Sequence, residues 1–233
     1  MEINSTSEKN SPDVSKRRPH SLHLLYGSVS LLLSLAVLTG TAHSQASKWN
    51  YSLTLDGYIV PGDVSYATPI VIAQRDRLHL EARYNYEDLN TASLWAGYRW
   101  RYKAPHNLEV EVIPMIGGIA GRTNGVAPGC ELNISYRRFE LAFINEYVFD
   151  LNHRANNFYF AWPQLSYSVL DWLKVGAVAQ QTQTYQTSLD IQRGFLVTLT
   201  RTMPRTRKPL SFTTYILNPG VSTTTVLETS FDF

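Results

Sequence analysis

Several features are scarce or missing in this chain of 233 residues. There is one cysteine, Cys130, which excludes an intrachain disulfide and a zinc site built on cysteines. The formal net charge is only +2 at pH 7, so no excess of one sign indicates a nucleic-acid partner. Beyond an apolar stretch near the amino terminus, no run is long enough to cross a bilayer as a helix. The composition therefore disfavours a helical membrane protein and a nucleic-acid-binding protein.

Motifs that carry enzyme or cofactor chemistry are missing as well. No H-E-x-x-H, G-x-S-x-G, Walker or dinucleotide-binding fingerprint occurs in the chain. Beyond the apolar leader only His79, His106 and His153 remain, and they lie far apart in the sequence. We therefore expect no catalytic residue, no metal site and no cofactor.

An export signal is indicated at the amino terminus. Residues 1–20 are polar and end close to a basic run, and residues 22–38 are strongly apolar. Small residues then supply cleavage sites after Ser44 or Ala46. This order is that of a secretory signal, so residues 1–44 are predicted to be a cleaved signal peptide. An uncleaved transmembrane helix of marginal length is the alternative.

The rest of the chain alternates apolar and polar residues with a period close to two. Between residues 77 and 87, leucine, alanine and tyrosine, ending with Tyr84 and Tyr86, occupy one set of alternate positions, and charged or polar residues occupy the other. A strand separates these sets onto two faces, whereas a helix would scatter them. The same alternation predicts twelve strands, near 49–56, 64–73, 77–87, 92–102, 108 onward, 131–136, 139–149, 158–168, 172–184, 191–201, 210–217 and 223–233.

Twelve alternating strands favour an all-β fold, a transmembrane antiparallel up-and-down β-barrel over residues 45–233. Aromatic residues make up 12% of the chain, and tyrosine is the commonest of them. Membrane barrels use such residues as girdles at the two membrane–water interfaces. A soluble β-sandwich or a lipocalin-like barrel is the alternative, because its apolar face alternates in the same way.

Alternate connections between the predicted strands differ in length. One set, which includes Arg137-Arg138, is mostly tight and shares its end of the barrel with both termini, so this end is predicted to be periplasmic. The other set includes a longer loop at 119–128, which holds Gly121, Asn124, Gly125 and Pro128. If Arg137-Arg138 is a two-residue turn, Tyr136 lies opposite Phe139 and both belong to the apolar face.

Charged residues on the opposite face are predicted to line the lumen. They are Glu81, Arg83, Arg99, Arg101, Glu109, Glu111, Glu131, Glu140 and Glu146. A turn centred on Pro105 sets Arg101 opposite Glu109 and Arg99 opposite Glu111. The next strand then brings Glu81 near Arg99, which predicts a charge ladder of Glu81, Arg99 and Glu111. Such a ladder either supports the barrel or lines a solute path, and both interpretations stay open.

The carboxyl-terminal strand carries alternating aromatic residues, Phe231 and Phe233. This ending is similar to the assembly signal of bacterial outer-membrane proteins, which implies the barrel-assembly machinery as a partner. Four segments resemble a family of bacterial outer-membrane β-barrel proteins of uncharacterised function, namely residues 77–87, 94–98, 192–195 and 231–233. The resemblance implies an outer-membrane location and a barrel fold, and it implies no catalytic residue.

Three functions are compatible with these patterns. The first is a narrow passive pore for ions or small polar solutes, embedded in outer-membrane lipid. The second is a structural or surface-interaction barrel with a plugged lumen. The third is an outer-membrane enzyme such as a lipid hydrolase, which requires a histidine near a serine. His79 is predicted to lie in the lumen, His106 in a periplasmic turn and His153 in an outer loop, and none has an evident partner.

Overall fold

Strands form wherever the sequence alternates. A computed structural model describes residues 48–184, 190–220 and 222–233, and the predicted signal peptide lies outside them. Within these residues the strands are β1 Asn50–Ile59, β2 Tyr66–Arg75, β3 Leu78–Tyr84, β4 in two segments Thr91–Tyr98 and Trp100–Ala104, β5 Leu108–Gly121, β6 Gly125–Tyr136, β7 Phe139–Asp150, β8 Phe158–Leu170, β9 Leu173–Thr184, β10 Asp190–Thr202, β11 Pro209–Leu217 and β12 Thr224–Asp232. One turn of 3₁₀-helix, Arg154–Asn156, follows β7. No helix in this part of the chain has the length and apolarity needed to span a bilayer.

The twelve strands close into a barrel. Each strand pairs antiparallel with the next one in the chain, and β1 pairs with β12. Both segments of β4 pair with β5, so the interruption at Arg99 does not open the sheet. The predicted antiparallel up-and-down barrel of about twelve strands is confirmed.

The two faces of the barrel wall are inverted relative to a soluble protein. On β4, Leu94 points outward and is 70% exposed, whereas its neighbours Ser93 and Trp95 point inward and are each 2% exposed. Ile116 on the adjacent β5 is outward as well, at 62% exposed. A soluble sandwich or lipocalin-like barrel puts its apolar face inside and its charges outside. The observed arrangement is that of a barrel whose exterior meets lipid.

The two ends of the barrel differ in their connections. The end that carries Trp49 and Phe233, called the terminal rim below, has short turns at 76–77, 105–107, 137–138, 171–172 and 203–208. The predicted turn at Arg137-Arg138 is present, and Tyr136 pairs with Phe139 as predicted. The opposite end, called the loop rim, has connections at 60–65, 85–90, 122–124, 151–157 and 218–223 among the described residues.

The predicted loop at 119–128 is wrong. β5 and β6 extend to Gly121 and Gly125 and leave only residues 122–124 as a turn. The reason is packing, because Ile119 and Ala127 on these extensions point inward and are buried in an apolar cluster. The glycines and proline that indicated a loop instead lie within paired strands.

A belt of aromatic side chains surrounds the outside of the terminal rim. Its exposed members are Tyr98, Trp100, Tyr102, Tyr136, Phe139, Tyr167, Trp172, Phe212 and Phe233. Several of them contact each other, including Phe139 and Tyr167, whose ring centroids are 5.0 Å apart. Tyrosine and tryptophan, with an apolar ring and a polar group, suit the boundary between lipid and water.

Candidate functional site

The inward face of β3 places His79, Glu81 and Arg83 next to one another in the lumen. All three side chains are almost fully buried. Glu81 accepts hydrogen bonds from His79 Nε2 at 2.5 Å and from Arg83 Nε at 2.6 Å. A carboxylate in such a buried position is stable only when donors surround it, and the alternation of β3 supplies two of them.

Arg83 forms a bridge across the lumen. Its Nη1 donates to Glu146 Oε2 at 2.9 Å, and Glu146 lies on β7, four strands away from β3. The guanidinium nitrogens also lie 3.8 Å from Glu87 Oε1 and 3.9 Å from Glu131 Oε1. One cation thus faces several carboxylates, and its side chain narrows the space between β3 and β7.

The connection at 85–90 folds into the barrel and adds to this narrowing. The alternation placed Tyr86 outward on a continued strand, and this prediction is wrong. β3 ends at Tyr84, and Asn85 adopts a left-handed conformation with φ of 56° that redirects the chain. Tyr86 consequently packs edge-on against Phe160 of β8, with ring centroids 5.8 Å apart, and lies 4.4 Å from the Arg83 guanidinium carbon.

Trp95 fills the part of the lumen beside this loop. Its indole nitrogen donates to Glu87 Oε1 at 3.0 Å, and the Arg83 guanidinium carbon lies 4.6 Å from its ring centroid. The ring lies directly over Gly117, where a Cβ atom would come within 2.4 Å of it. Glycine is therefore required there. The surrounding apolar cluster consists of Ile113, Met115, Ile119, Ala127 and Val148.

A second apolar cluster occupies the opposite part of the lumen. Trp162 and Tyr215 meet edge-to-face with ring centroids 5.5 Å apart, and Val178, Leu196, Leu217 and Val226 pack with them. Beside this second cluster lies a cavity of about 160 Å³, which Trp162, Tyr215 and Val226 help to line. Among the described residues, its charged lining consists of Asp56, Glu81, Arg83, Glu131 and Glu228. Four carboxylates thus face one guanidinium in this central cavity, which is called the constriction below.

Polar cavities lie on both sides of this constriction. Toward the terminal rim, one of about 230 Å³ is lined by Ser52, Gln74 and Arg99, and another of about 270 Å³ by Arg101 and Glu111 among others. Toward the loop rim, a cavity of about 380 Å³ is lined by residues that include Asp88, Arg122, Thr123 and Asn156. β1 contributes residues both to the central cavity and to the cavity that includes Ser52, so these two follow one another along the barrel wall.

The predicted charge ladder is wrong in its register. The β4–β5 turn is centred on His106, not on Pro105, because proline occupies the first corner and His106 and Asn107 adopt left-handed conformations. Arg101 therefore lies opposite Glu111 instead of Glu109.

The ladder residues accordingly separate into two groups. Glu81 lies opposite Trp95 and belongs to the constriction. Arg99 lies nearer the terminal rim, where its Nε is 3.5 Å from Glu111 and its Nη1 donates to Gln74. The remaining predicted residues Arg101, Glu109 and Glu140 form ion pairs near the terminal rim with Glu111, Lys103 and Lys174, respectively.

His79, Glu81 and Glu131 have donor atoms that all lie within 4.8 Å of one another, which is a spacing compatible with a metal ion. The hydrogen bonds do not fit such a role. The Gln74 carbonyl accepts from Arg99, so its amide nitrogen donates to His79 Nδ1 at 2.8 Å. His79 Nε2 therefore carries the proton that it donates to Glu81, and Arg83 engages the other oxygen of that carboxylate. The three residues form a hydrogen-bonded network and not a ligand set.

Sequence reasoning missed three acidic residues of the lumen. Asp56 and Glu228 lie on the polar faces of β1 and β12, so strand alternation is a signal that points to both of them. Glu87 lies on the polar face of the alternation between residues 77 and 87, so the same signal points to it, although the chain turns at Asn85 before it. Glu146, which was placed in the lumen by its parity, turns out to be the partner of Arg83.

A closed antiparallel barrel with an apolar exterior and a charged interior defines the class of transmembrane β-barrels. The fold is similar to the solved structure of the KdgM porin, with 13% identity, coverage of 78% of this chain and 99% of that one, and a TM-score of 0.52. A structure of the KdgM porin in complex with disordered oligogalacturonate gives 10% identity, coverage of 78% and 98%, and a TM-score of 0.51. The outer membrane protein Omp33 of Acinetobacter baumannii shares 13% identity over 81% of this chain and 100% of its own, with a TM-score of 0.43. No protein-family model and no curated protein matches the chain.

Proposed function

We propose that this chain is a narrow, passive outer-membrane pore for ions or small polar solutes. The observation that carries this proposal is that polar cavities lie at several levels of the barrel interior, the central one lined by four carboxylates and a guanidinium. Water-filled channels commonly place charged side chains at their narrowest point, where the charges select among solutes. The terminal rim, with its short turns, is proposed to face the periplasm.

The sign of the constriction indicates which solutes are favoured. Four of its charged residues are acidic, and its guanidinium group, on Arg83, is already engaged by Glu81 and Glu146. We therefore propose a preference for cations and neutral polar molecules. The KdgM porin has been solved with oligogalacturonate, an acidic ligand, and the acidic lining of this chain disfavours a solute of that charge.

A structural barrel with a plugged lumen is the second candidate. It is favoured by the Arg83–Glu146 ion pair across the lumen and by the two apolar clusters that fill parts of the lumen. The third candidate, a hydrolase, has little support. The described hydrogen bonds of the His79 ring go to Gln74 and Glu81 and not to a serine.

Single-channel recording tests the choice between pore and plug. The full chain, expressed in a Gram-negative host and purified from its outer membranes, is expected to give small, steady conductances with a cation preference in a KCl gradient. Glu131→Gln should reduce that preference, because it removes a carboxylate from the constriction. Glu109→Gln, the same change at an exposed ion pair on the terminal rim, should leave the preference unchanged. A silent bilayer from folded, heat-modifiable protein would establish the plugged barrel instead.

Export and membrane insertion are proposed to use the two ends of the chain. Residues 1–44 have the order of regions found in a cleaved signal peptide. On β12, Phe231 and Phe233 lie on the outward face, with ring centroids 5.7 Å apart, and Phe233 stacks on Tyr51 of β1 at 5.8 Å. These aromatic rings meet at the seam where the barrel closes, which supports their assignment as the signal for the barrel-assembly machinery.

Changing Phe233 to alanine should slow assembly more than it reduces stability. The aromatic ring is half exposed on the lipid-facing side, so its removal eliminates few packing contacts inside the protein. We expect a marked fall in the heat-modifiable form recovered from outer membranes, and a midpoint of urea unfolding close to that of the unchanged protein. Phe212→Ala, at a similarly exposed aromatic on the terminal rim, is the matched control. Equal recovery of both variants would contradict the assigned signal.

A further inference from the structure

Two acidic side chains face each other where the barrel closes. Asp56 of β1 lies directly opposite Glu228 of β12 in the antiparallel register, and both line the central cavity. Like charges in directly opposed positions of a strand pair are destabilising. The closing seam therefore holds an arrangement that a positive charge between the two carboxylates would relieve.

The hydrogen bonds of the two carboxylates are unequal. Glu228 accepts from Tyr215 at 2.9 Å and from Thr213 at 3.3 Å. Asp56 is only 8% exposed, and its Oδ1 atom is buried with no hydrogen-bond partner. A buried charged oxygen without a donor is costly, and native structures rarely leave one without a reason. The donor that Asp56 lacks is consequently expected to come from a ligand in the cavity.

Aromatic rings form the walls beside this acidic pair. Tyr58 is stacked on Tyr66 with ring centroids 4.7 Å apart, and Trp162 and Tyr215, which meet edge-to-face, also line the cavity. Aromatic faces attract organic cations, and the attraction is strongest where water is excluded. The volume of about 160 Å³ has room for several water molecules of about 30 Å³ each, which is more space than a bare metal ion occupies.

We propose that Asp56 and Glu228 form a binding site for a small organic cation that carries an ammonium group. The ammonium donates to the free oxygen of Asp56 and to Glu228, and its alkyl part lies against Tyr58 and Trp162. Arg83 does not compete, because its guanidinium is held by Glu81 and Glu146. The inference rests on the proposed pore in one respect only, namely that solutes reach the cavity from the rims.

Calorimetric titration of the purified full-chain product in detergent tests the site. The probe is n-butylammonium chloride, with n-butanol, sodium butyrate and potassium chloride as matched compounds. We expect saturable binding of butylammonium alone. Asp56→Asn should weaken it at least about tenfold, since a hydrogen bond to a charged group is lost. Glu109→Gln changes a carboxylate outside the central cavity and should bind like the unchanged protein.

Any other result would refute either the proposed site or the proposed identity of its ligand. Absence of saturable binding would mean that the two carboxyl groups share a proton and need no ligand. Binding of potassium but not butylammonium would assign an inorganic cation, and unchanged binding by Asp56→Asn would remove the acidic pair from the site. Because binding is measured without a bilayer, butylammonium binding by a protein that conducts no current would refute the pore and retain the site. Conduction without butylammonium binding would refute the site and retain the pore.

Discussion

Replacing Arg83 with alanine should destabilise the barrel by roughly 3–5 kcal/mol, which is the cost of breaking a buried ion pair. The change leaves Glu81 without its Nε donor and Glu146 without its hydrogen bond to Arg83 across the lumen, and both carboxylates are buried. Urea unfolding of the protein in lipid vesicles measures the effect. Arg101→Ala is the control, because that side chain is 53% exposed and its pairing with Glu111 is expected to contribute no more than about 1 kcal/mol.

The same variant should conduct more current than the unchanged protein. Removing the guanidinium opens the space between β3 and β7 and leaves the carboxylates of the constriction without a counter-charge. We expect a larger single-channel conductance and a stronger cation preference. If Arg83→Ala unfolds, the milder Arg83→Lys keeps the charge but loses the forked geometry, and it should show a smaller increase. A conductance unchanged in both variants would place the narrowest point elsewhere.

Leu94→Arg should destabilise the membrane-embedded barrel by about 2–4 kcal/mol. Leu94 lies within β4 on the outward face and is 70% exposed, so a charge there must enter hydrocarbon if the exterior meets lipid. In a soluble protein, the same substitution at so exposed a position stays within about 0.5 kcal/mol. Urea unfolding from lipid vesicles therefore distinguishes a lipid-facing from a water-facing position by the size of the loss in unfolding free energy.

The matched control uses the depth dependence of this effect. Tyr102 is also outward, at 64% exposed, but it lies close to the terminal rim. Tyr102→Arg should cost about 0–1 kcal/mol, because an arginine near the interface reaches water. An equal loss of unfolding free energy in both variants would contradict a lipid-facing exterior whose boundary lies at the aromatic belt.

Local alternation was enough to predict the strands and their two faces. The hairpin of β6 and β7 shows this most clearly, since a tight turn and two alternating segments leave a single register that pairs Tyr136 with Phe139 and Ile134 with Leu141 on the outward face. Glycine-rich segments were less informative. The region 119–128 has the composition of a loop, yet it consists mostly of paired strand because its inward side chains are buried.

Turn geometry decided the details that alternation left open. A shift of the β4–β5 turn by one residue moves the register by two, which preserves both faces and exchanges every charge partner. Arg101 therefore pairs with Glu111 instead of Glu109. The left-handed conformation of Asn85 similarly turns the Tyr86 side chain from the outside to the lumen. Strand periodicity cannot predict such a change.

By itself, the sequence determined that this chain is a barrel and that its strands have two alternating faces. Both properties follow from the period of two in the strand backbone, which is a local property. Only the tertiary structure decided that Arg83 meets Glu146 across the lumen and that Asp56 faces Glu228 at the closing seam. These contacts join residues far apart in the chain, and they depend on the strand number and stagger with which the barrel closes.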